Sequence, residues 1–164
     1  EHYTSSELKN SLSHHTVSAI LEDTIGNLWI GTEGGGLNYF DRKQNKFYHY
    51  KNIKSDSTSI NSNTIKSLML DSKGNFWVGT YEGGLNKFSV KEGKFTNKEN
   101  STEPIYHLAN NVYNLIEDVQ GRLWIGSLDK GLFSVKHGEI TNWSLQHPNI
   151  HSVRDLLEDS HGNI

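Results

Sequence analysis

Cysteine is absent from this chain of 164 residues, which excludes disulfide bonds, cysteine-ligated zinc, iron–sulfur clusters and thiol catalysis. Only two prolines occur, too few for a proline-rich linker. The sequence contains no run of about 18 apolar residues, so it predicts no membrane-spanning helix. The formal net charge of −3 lacks the basic excess of a dedicated DNA-binding domain, so we expect no direct contact with nucleic acid. What the chain does contain is aromatic residues, with four Trp, seven Tyr and six Phe to supply a core.

A ten-residue pattern recurs along the chain and dominates its organisation. Residues 23–32 read Asp-Thr-Ile-Gly-Asn-Leu-Trp-Ile-Gly-Thr, and residues 71–80 and 118–127 follow the same pattern. A fourth copy begins at Asp159. The tryptophans Trp29, Trp77 and Trp124 stand 48 and 47 residues apart. Periods of this length are typical of proteins built from repeated structural units.

We interpret the repeated positions as structural. An Asp at the start of a tight turn accepts backbone N–H groups, and the Gly that follows it adopts a positive φ that residues with a Cβ resist. A calcium site is the alternative for these turns, but the alternating carboxylates of an EF-hand are missing. We therefore predict no metal, no cofactor and no catalytic residue. The positions assigned to the fold are Asp23, Gly26, Trp29, Gly31, Asp71, Gly74, Trp77, Gly79, Asp118, Gly121, Trp124 and Gly126.

Each copy predicts four short antiparallel strands, in the first copy at 17–21, 28–32, 37–40 and 47–50. Four strands in every 40–50 residues or so is the pattern of a β-propeller blade. A solenoid is the alternative, but its coils are usually shorter. We predict an all-β propeller fragment of three full blades with a partial blade at each end. Its parts are 1–14 (outer strand and loop of a preceding blade), 15–60 (blade 1), 61–108 (blade 2), 109–148 (blade 3) and 149–164 (a truncated further blade, with its inner strand at 153–157).

Three blades are too few to close a ring, since propellers typically have about four to eight. Such a fragment exposes blade faces and strand edges at both ends, and exposed edges and apolar faces promote association. We therefore predict that the chain self-associates.

The block Asp-x-x-Gly-Asn-Leu-Trp-Ile-Gly-Thr, followed by Gly-Gly-Leu-Asn, resembles the two-component regulator propeller repeat over essentially the whole chain. The third copy departs from it modestly, with Ser127 for Thr, Lys130 for Gly and Phe133 for Asn. Such repeats build the periplasmic sensor regions of hybrid two-component histidine kinases in gut Bacteroidetes.

The resemblance implies a periplasmic location and an oligosaccharide ligand, with control of polysaccharide-utilisation genes. It also implies that the partners in the parent chain are the rest of the propeller and a histidine kinase with its phosphorelay. The chain contains no phosphoacceptor region and no nucleotide-binding motif. We therefore expect the fragment itself to be non-catalytic, with phosphoryl transfer in other parts of the parent protein.

Positions that differ between copies predict where a ligand binds, because residues that build the fold repeat and ligand contacts need not. The loop between the second and third strands opens onto the same rim as the start of the first strand. A mixture of aromatic and polar side chains, which suits sugars, occurs there. The predicted ligand-binding residues are Glu33, Tyr81, Glu82, Asp129, Lys130, Asn63, Asn111, Tyr113 and Arg154, beside His15, Lys66, Leu128 and His151.

Two other functions compete with the sensor hypothesis. A propeller enzyme similar to streptogramin lyase would place a metal, His and carboxylate at one rim, for which the sequence offers only His15, His151 and Glu33. A protein-interaction platform like the WD-repeat propellers needs no such cluster, although the Gly-His and Trp-Asp pairs of those repeats are missing.

Overall fold

A computed structural model describes residues 10–164, in which twelve strands form three sheets. Residues 1–9, and with them most of the predicted preceding blade at 1–14, lie outside the described residues. No helix in the described part is long and apolar enough to cross a membrane. The strands are β1 (Val17–Glu22), β2 (Leu28–Thr32), β3 (Leu37–Asp41), β4 (Lys46–Tyr50), β5 (Ile65–Leu70), β6 (Phe76–Thr80), β7 (Gly84–Ser89), β8 (Lys94–Thr96), β9 (Val112–Glu117), β10 (Leu123–Ser127), β11 (Gly131–Lys136) and β12 (Glu139–Asn142).

Each sheet has four antiparallel strands in sequence order, β1 to β4, β5 to β8 and β9 to β12. This is the up-and-down meander of a propeller blade, and it confirms the predicted fold class. We call the three sheets blade 1, blade 2 and blade 3. A short 3-10 helix (Pro104–His107) lies between the second and third blades, and one helical turn, α1 (Trp143–Gln146), follows β12.

The strand predicted at 153–157 does not form. A strand exists only through its ladder of hydrogen bonds, and among residues 10–164 no strand pairs with this segment. The segment nevertheless lies against blade 3, where the backbone N–H of Val153 donates to the carbonyl of Ser127 at 2.8 Å. The prediction of a strand was therefore wrong, although the segment does lie beside blade 3.

The second strand of every blade is the most buried, as its continuous apolar sequence predicted. Trp29 of β2 lies 4.9 Å from Phe76 and 5.2 Å from Phe88 of the next blade, measured between ring centres. Trp77 belongs to an apolar cluster that includes Leu115 of blade 3. The repeated tryptophans therefore help to fill the space between neighbouring sheets.

The second glycine of the repeat allows adjacent blades to approach closely. A Cβ at Gly31 would lie 2.5 Å from Cγ2 of Ile65, the first residue of the next blade's inner strand. A Cβ at Gly79 would lie 2.8 Å from Cγ1 of Val112. At Gly126 the distance to Cγ1 of Val153 would be 2.9 Å. Contacts this short do not occur between real side chains, so packing between blades explains why this glycine repeats.

Candidate functional site

The rim that carries the Asp-x-x-Gly turns, which we call the turn rim, has the same geometry in every blade. Oδ1 of Asp71 accepts the backbone N–H groups of Lys73 at 3.1 Å and Asn75 at 2.7 Å. Equivalent pairs of bonds reach Asp23, Asp118 and Asp159. Each of these aspartates therefore accepts backbone N–H groups of its own turn, the geometry that a structural role requires.

The donor to the second carboxylate oxygen of the turn Asp differs between the first blade and the other two. Indole Nε1 of Trp77 donates to Oδ2 of Asp71 at 2.9 Å, and Trp124 donates to Asp118 at the same distance. In blade 1, Oδ2 of Asp23 instead accepts the hydroxyl of Tyr39 at 3.3 Å.

These hydrogen bonds govern the acidity of the turn aspartates. Burial by itself raises the pKa of Asp71, but the bonds from Trp77 and Asn75 outweigh it and hold the pKa below 3.8. For Asp118, burial again raises the pKa, and the bonds from Trp124 and from the turn backbone lower it by more. Both carboxylates are therefore stabilised in their ionised form, as expected for acceptors of several N–H groups.

The opposite rim, which we call the loop rim, carries the loops between second and third strands and the starts of the inner strands. The pairing of each inner strand with its neighbour shifts register at the same place: at Ser18 in β1, Lys66 in β5 and Tyr113 in β9. A β-bulge of this kind inserts one residue and redirects its side chain. The bulge therefore gives each blade one side chain at this rim that the sheet ladder does not constrain.

The bulge side chain of one blade meets the loop side chain of the blade before it. Nζ of Lys66 lies 2.7 Å from Oε1 and 2.9 Å from Oε2 of Glu33. The same ammonium lies 5.1 Å from the ring centre of Tyr113 and 5.9 Å from that of Tyr81. The four residues Glu33, Lys66, Tyr81 and Tyr113, which we call the rim cluster, bring together side chains from three blades.

The chemistry of the rim cluster combines one ion pair with two aromatic rings. The side chain of Lys66 is only 16% exposed, so its charge interacts with Glu33 and with the rings in a partly desolvated setting. A carboxylate, an ammonium and the faces of two phenol rings can together contact hydroxyls and C–H bonds of a sugar. No step of bond breaking follows from this arrangement.

Three of the predicted ligand residues are instead occupied in holding the loops. Oδ1 of Asn63 accepts the backbone N–H of Asn52 at 2.7 Å, and Oδ1 of Asn111 accepts that of Glu82 at 3.0 Å. Asp129 accepts the hydroxyl of Ser127 at 2.8 Å and the backbone N–H of Asn111 at 3.0 Å. Burial raises the pKa of Asp129, but these hydrogen bonds lower it by more, so the carboxylate favours its ionised form.

The side chains of the other predicted ligand residues form no hydrogen bond or ion pair with the rim cluster within residues 10–164. Glu82 is exposed, has a φ of 63° and lines a polar pocket of about 410 Å³ with Asn61 and Lys98. Lys130 and Arg154 are exposed, and within residues 10–164 neither side chain forms a hydrogen bond or an ion pair.

The bulges that build the rim cluster were missed in the sequence. The burial pattern of the folded strands marks the bulge in β9 but not the one in β5, where Ile65, Ser67 and Met69 are buried in regular alternation. In β9, Val112 and Leu115 are buried and the two residues between them are half-buried. A regular strand buries every second residue, so a spacing of three between buried positions indicates an inserted residue. Lys66 was placed at the rim, but its contact with Glu33 across two blades could not be read from the sequence.

The residues proposed for a lyase-like metal site do not converge. The ring of His15 stacks on that of His14 with ring centres 4.3 Å apart, whereas Glu33 pairs with Lys66. His151 is exposed. Among residues 10–164, no group of three His, Asp or Glu side chains is placed to hold a metal ion.

Comparison with known families identifies the repeat. The two-component regulator propeller model matches residues 11–34, 59–82 and 107–129, one segment in each of the three copies. The chain carries two-component regulator propeller repeats. In each copy the matched segment runs from before the inner strand to the loop that follows the second strand, so it contains the bulge and one of the rim loops. A search of curated proteins gave no match.

Solved structures with similar folds include extracellular domains of hybrid two-component systems from B. thetaiotaomicron. One is 25% identical with a TM-score of 0.80 and covers 97% of this chain but 22% of its own. Another is 25% identical with a TM-score of 0.71 and covers 98% of this chain and 23% of its own. The propeller chain thus spans about a fifth of the length of these structures. Virginiamycin B lyase from Staphylococcus aureus, 15% identical with a TM-score of 0.53 over 76% of this chain and 40% of its own, shares the fold alone.

Proposed function

We propose that the chain is a non-catalytic part of the periplasmic sensor region of a hybrid two-component histidine kinase, and that its loop rim binds an oligosaccharide. Support comes from the matched family model and from similar structures that are extracellular domains of hybrid two-component systems. The kinase, its phosphorelay and the regulated polysaccharide-utilisation genes belong to the proposal for the parent protein.

The observation that carries the proposal is the rim cluster. Its four residues occupy repeat positions that differ between blades, whereas the positions that shape the turns are the same in each. A ligand that contacts Glu33 of blade 1 together with Tyr81 and Tyr113 of blades 2 and 3 bridges three sheets. Because the blades meet through packed contacts, such bridging can bias their relative position, and a change of this kind can be passed to the kinase.

Calorimetry of the complete extracellular region that contains this chain, against a panel of oligosaccharides, tests the proposal. We expect one glycan class to bind, and Lys66→Met or Tyr113→Ala to reduce its affinity at least tenfold while the fold is retained. Lys91→Met, an exposed lysine on the turn rim, is the matched control and should bind normally. Absence of binding to every glycan would favour the protein-interaction platform instead.

We also propose that the chain self-associates through the face of β1. Ile20 is 63% exposed, whereas Leu115 at the same repeat position in β9 is 5% exposed, because blade 2 packs against β9. Apolar side chains on such a face favour contact with another copy. Light scattering at tens of micromolar should give a mass above 18.6 kDa, and Ile20→Lys should shift it towards the monomer. A monomeric wild-type chain would contradict this proposal.

A further inference from the structure

A mostly apolar pocket opens on the turn rim between the first two blades, on the opposite side of the sheets from the rim cluster. Its volume is about 280 Å³, and its walls include the rings of Trp29, Tyr39 and Phe76. Two apolar side chains at its edge are largely in solvent, Ile25 with 79% exposure and Val90 with 68%. This size suits a ligand of one aromatic ring.

A carboxylate occupies the corresponding place both between blades 2 and 3 and between blade 3 and the segment that follows it. Glu117, at the end of β9, accepts the backbone N–H of Ser72 at 2.6 Å and its hydroxyl at 2.8 Å. Glu158 accepts the backbone N–H of Val119 at 3.0 and 3.2 Å. In each case the residue before the repeat Asp caps the first N–H of the preceding blade's turn.

At the first junction this carboxylate is missing, because Leu70 occupies the position of Glu117 and Glu158. The corresponding N–H belongs to Thr24, and within the described residues it donates no hydrogen bond. The indole N–H of Trp29 has no partner there either, in contrast to Trp77 and Trp124. The pocket wall thus includes two residues with unused donors beside an aromatic surface.

We propose that this pocket binds a small aromatic carboxylate. Its ring would lie against the wall that Trp29, Tyr39 and Phe76 form with one another. Its carboxylate would accept the N–H of Thr24, as Glu117 accepts that of Ser72. The neighbouring carboxylate of Asp23 does not prevent this, because Asp71 tolerates Glu117 in the same geometry at the second junction. The turn supplies enough N–H donors for both anions. This inference is independent of the oligosaccharide site proposed for the loop rim.

Nuclear magnetic resonance of the ¹⁵N-labelled 164-residue chain, titrated with phenylacetate, tests the proposal. We expect saturable shifts at the Thr24 amide and the Trp29 indole, with a dissociation constant of about 1 mM for so small a ligand. The indoles of Trp77 and Trp124 should not move. Phenylacetamide, which has the same shape without the charge, should bind at least tenfold more weakly.

Two reciprocal variants sharpen the test. Leu70→Glu supplies the missing carboxylate from the chain itself, so it should reduce the affinity for phenylacetate at least tenfold. Glu117→Leu removes the carboxylate from the second junction, so new phenylacetate-dependent shifts should arise at the Ser72 amide. Lys66→Met lies on the other rim and should leave phenylacetate binding unchanged.

Several outcomes would overturn the proposal. They are the absence of shifts at Thr24 and Trp29, equal affinity for phenylacetamide, or undiminished binding by a folded Leu70→Glu variant. If Leu70→Glu does not fold, the proposal is tested by the affinities of phenylacetate and phenylacetamide and by the Glu117→Leu variant. Loss of oligosaccharide binding in Lys66→Met with intact phenylacetate binding would separate the two sites.

Discussion

The turn rim and the loop rim are built from the same three sheets but follow opposite rules. On the turn rim, four aspartates make the same pair of backbone hydrogen bonds. On the loop rim, the bulge position holds Ser18, Lys66 and Tyr113 in successive blades. The repeated aspartates satisfy the backbone of their own turns, whereas the varied side chains Glu33 and Lys66 contact each other across two blades. We expect stability to depend on the first rim and oligosaccharide binding on the second.

The largest effect should come from the strands that connect the two rims. Gly79→Ala would place a Cβ against Oγ of Ser67 in its own blade, and 2.8 Å from Cγ1 and 2.9 Å from the carbonyl oxygen of Val112 in the next, so both the inner strand of blade 2 and blade 3 must shift. We expect a loss of about 3 kcal/mol in the free energy of unfolding, measured by urea denaturation. Gly138→Ala, where nothing lies within 4 Å, is the control for a glycine substitution without close packing, and it carries only the cost of its own φ of 84°. A loss below about 1 kcal/mol in Gly79→Ala would show that close packing at this glycine does not limit stability.

A smaller effect should distinguish two aspartates of the turn rim. Asp71→Asn replaces the oxygen that accepts the indole of Trp77 with a second donor, which should cost about 2 kcal/mol. Asp23→Asn should cost only about 1 kcal/mol, because the hydroxyl of Tyr39 can turn to accept a hydrogen bond. Chemical denaturation of both variants checks the order. A larger loss in Asp23→Asn would contradict the role given to the indole bond.

Acid should weaken the fold through the turn rim. The pKa values of Asp71 and Asp118 are lowered in the folded protein, so their contribution to stability is fully present above the ordinary value of 3.8. This contribution is lost as pH falls below 3.8 and through the folded pKa values, because protons bind these carboxylates more tightly in the unfolded chain. Thermal melting between pH 6 and pH 2.5 should show this fall. Asp71→Asn should show a shallower one, and an unchanged slope would exclude Asp71 as a source.

The smallest effect on stability should come from the loop rim. Lys66→Met removes the ion pair with Glu33 but keeps much of the side chain's apolar contact with the rings. We expect a change of less than about 1 kcal/mol in the free energy of unfolding, since partly exposed ion pairs contribute little. A loss as large as that of Asp71→Asn would mean that the rim cluster stabilises the fold, and the contrast between the rims would fail.

Much of the fold could be predicted because its signals are local and repeat. The Asp-x-x-Gly turns, the apolar second strands and the spacing of Trp29, Trp77 and Trp124 together predicted three four-stranded sheets. Each depends on residues close together in the chain, where turn chemistry and alternation operate directly. The prediction was wrong at 153–157, where strand formation needs a partner strand rather than a local pattern.

The candidate site could be predicted only in part, because its contacts join distant residues. Glu33 and Lys66 lie 33 positions apart, and their pairing requires a bulge and a specific packing of two blades. The side chains of Asn63, Asn111 and Asp129 suit a ligand, but their oxygens already accept hydrogen bonds from backbone N–H groups of the loops.

The repeat alone determines that this chain forms propeller blades, because hairpin turns and strand alternation act within each unit. Only the packing of one blade on the next decides which side chains meet at the loop rim. The same packing places Leu70 beside a pocket at the first junction, whereas Glu117 and Glu158 at the equivalent positions bind turn N–H groups. Contacts between blades depend on register and spacing across about 40–50 residues, and a pattern within one repeat does not specify them.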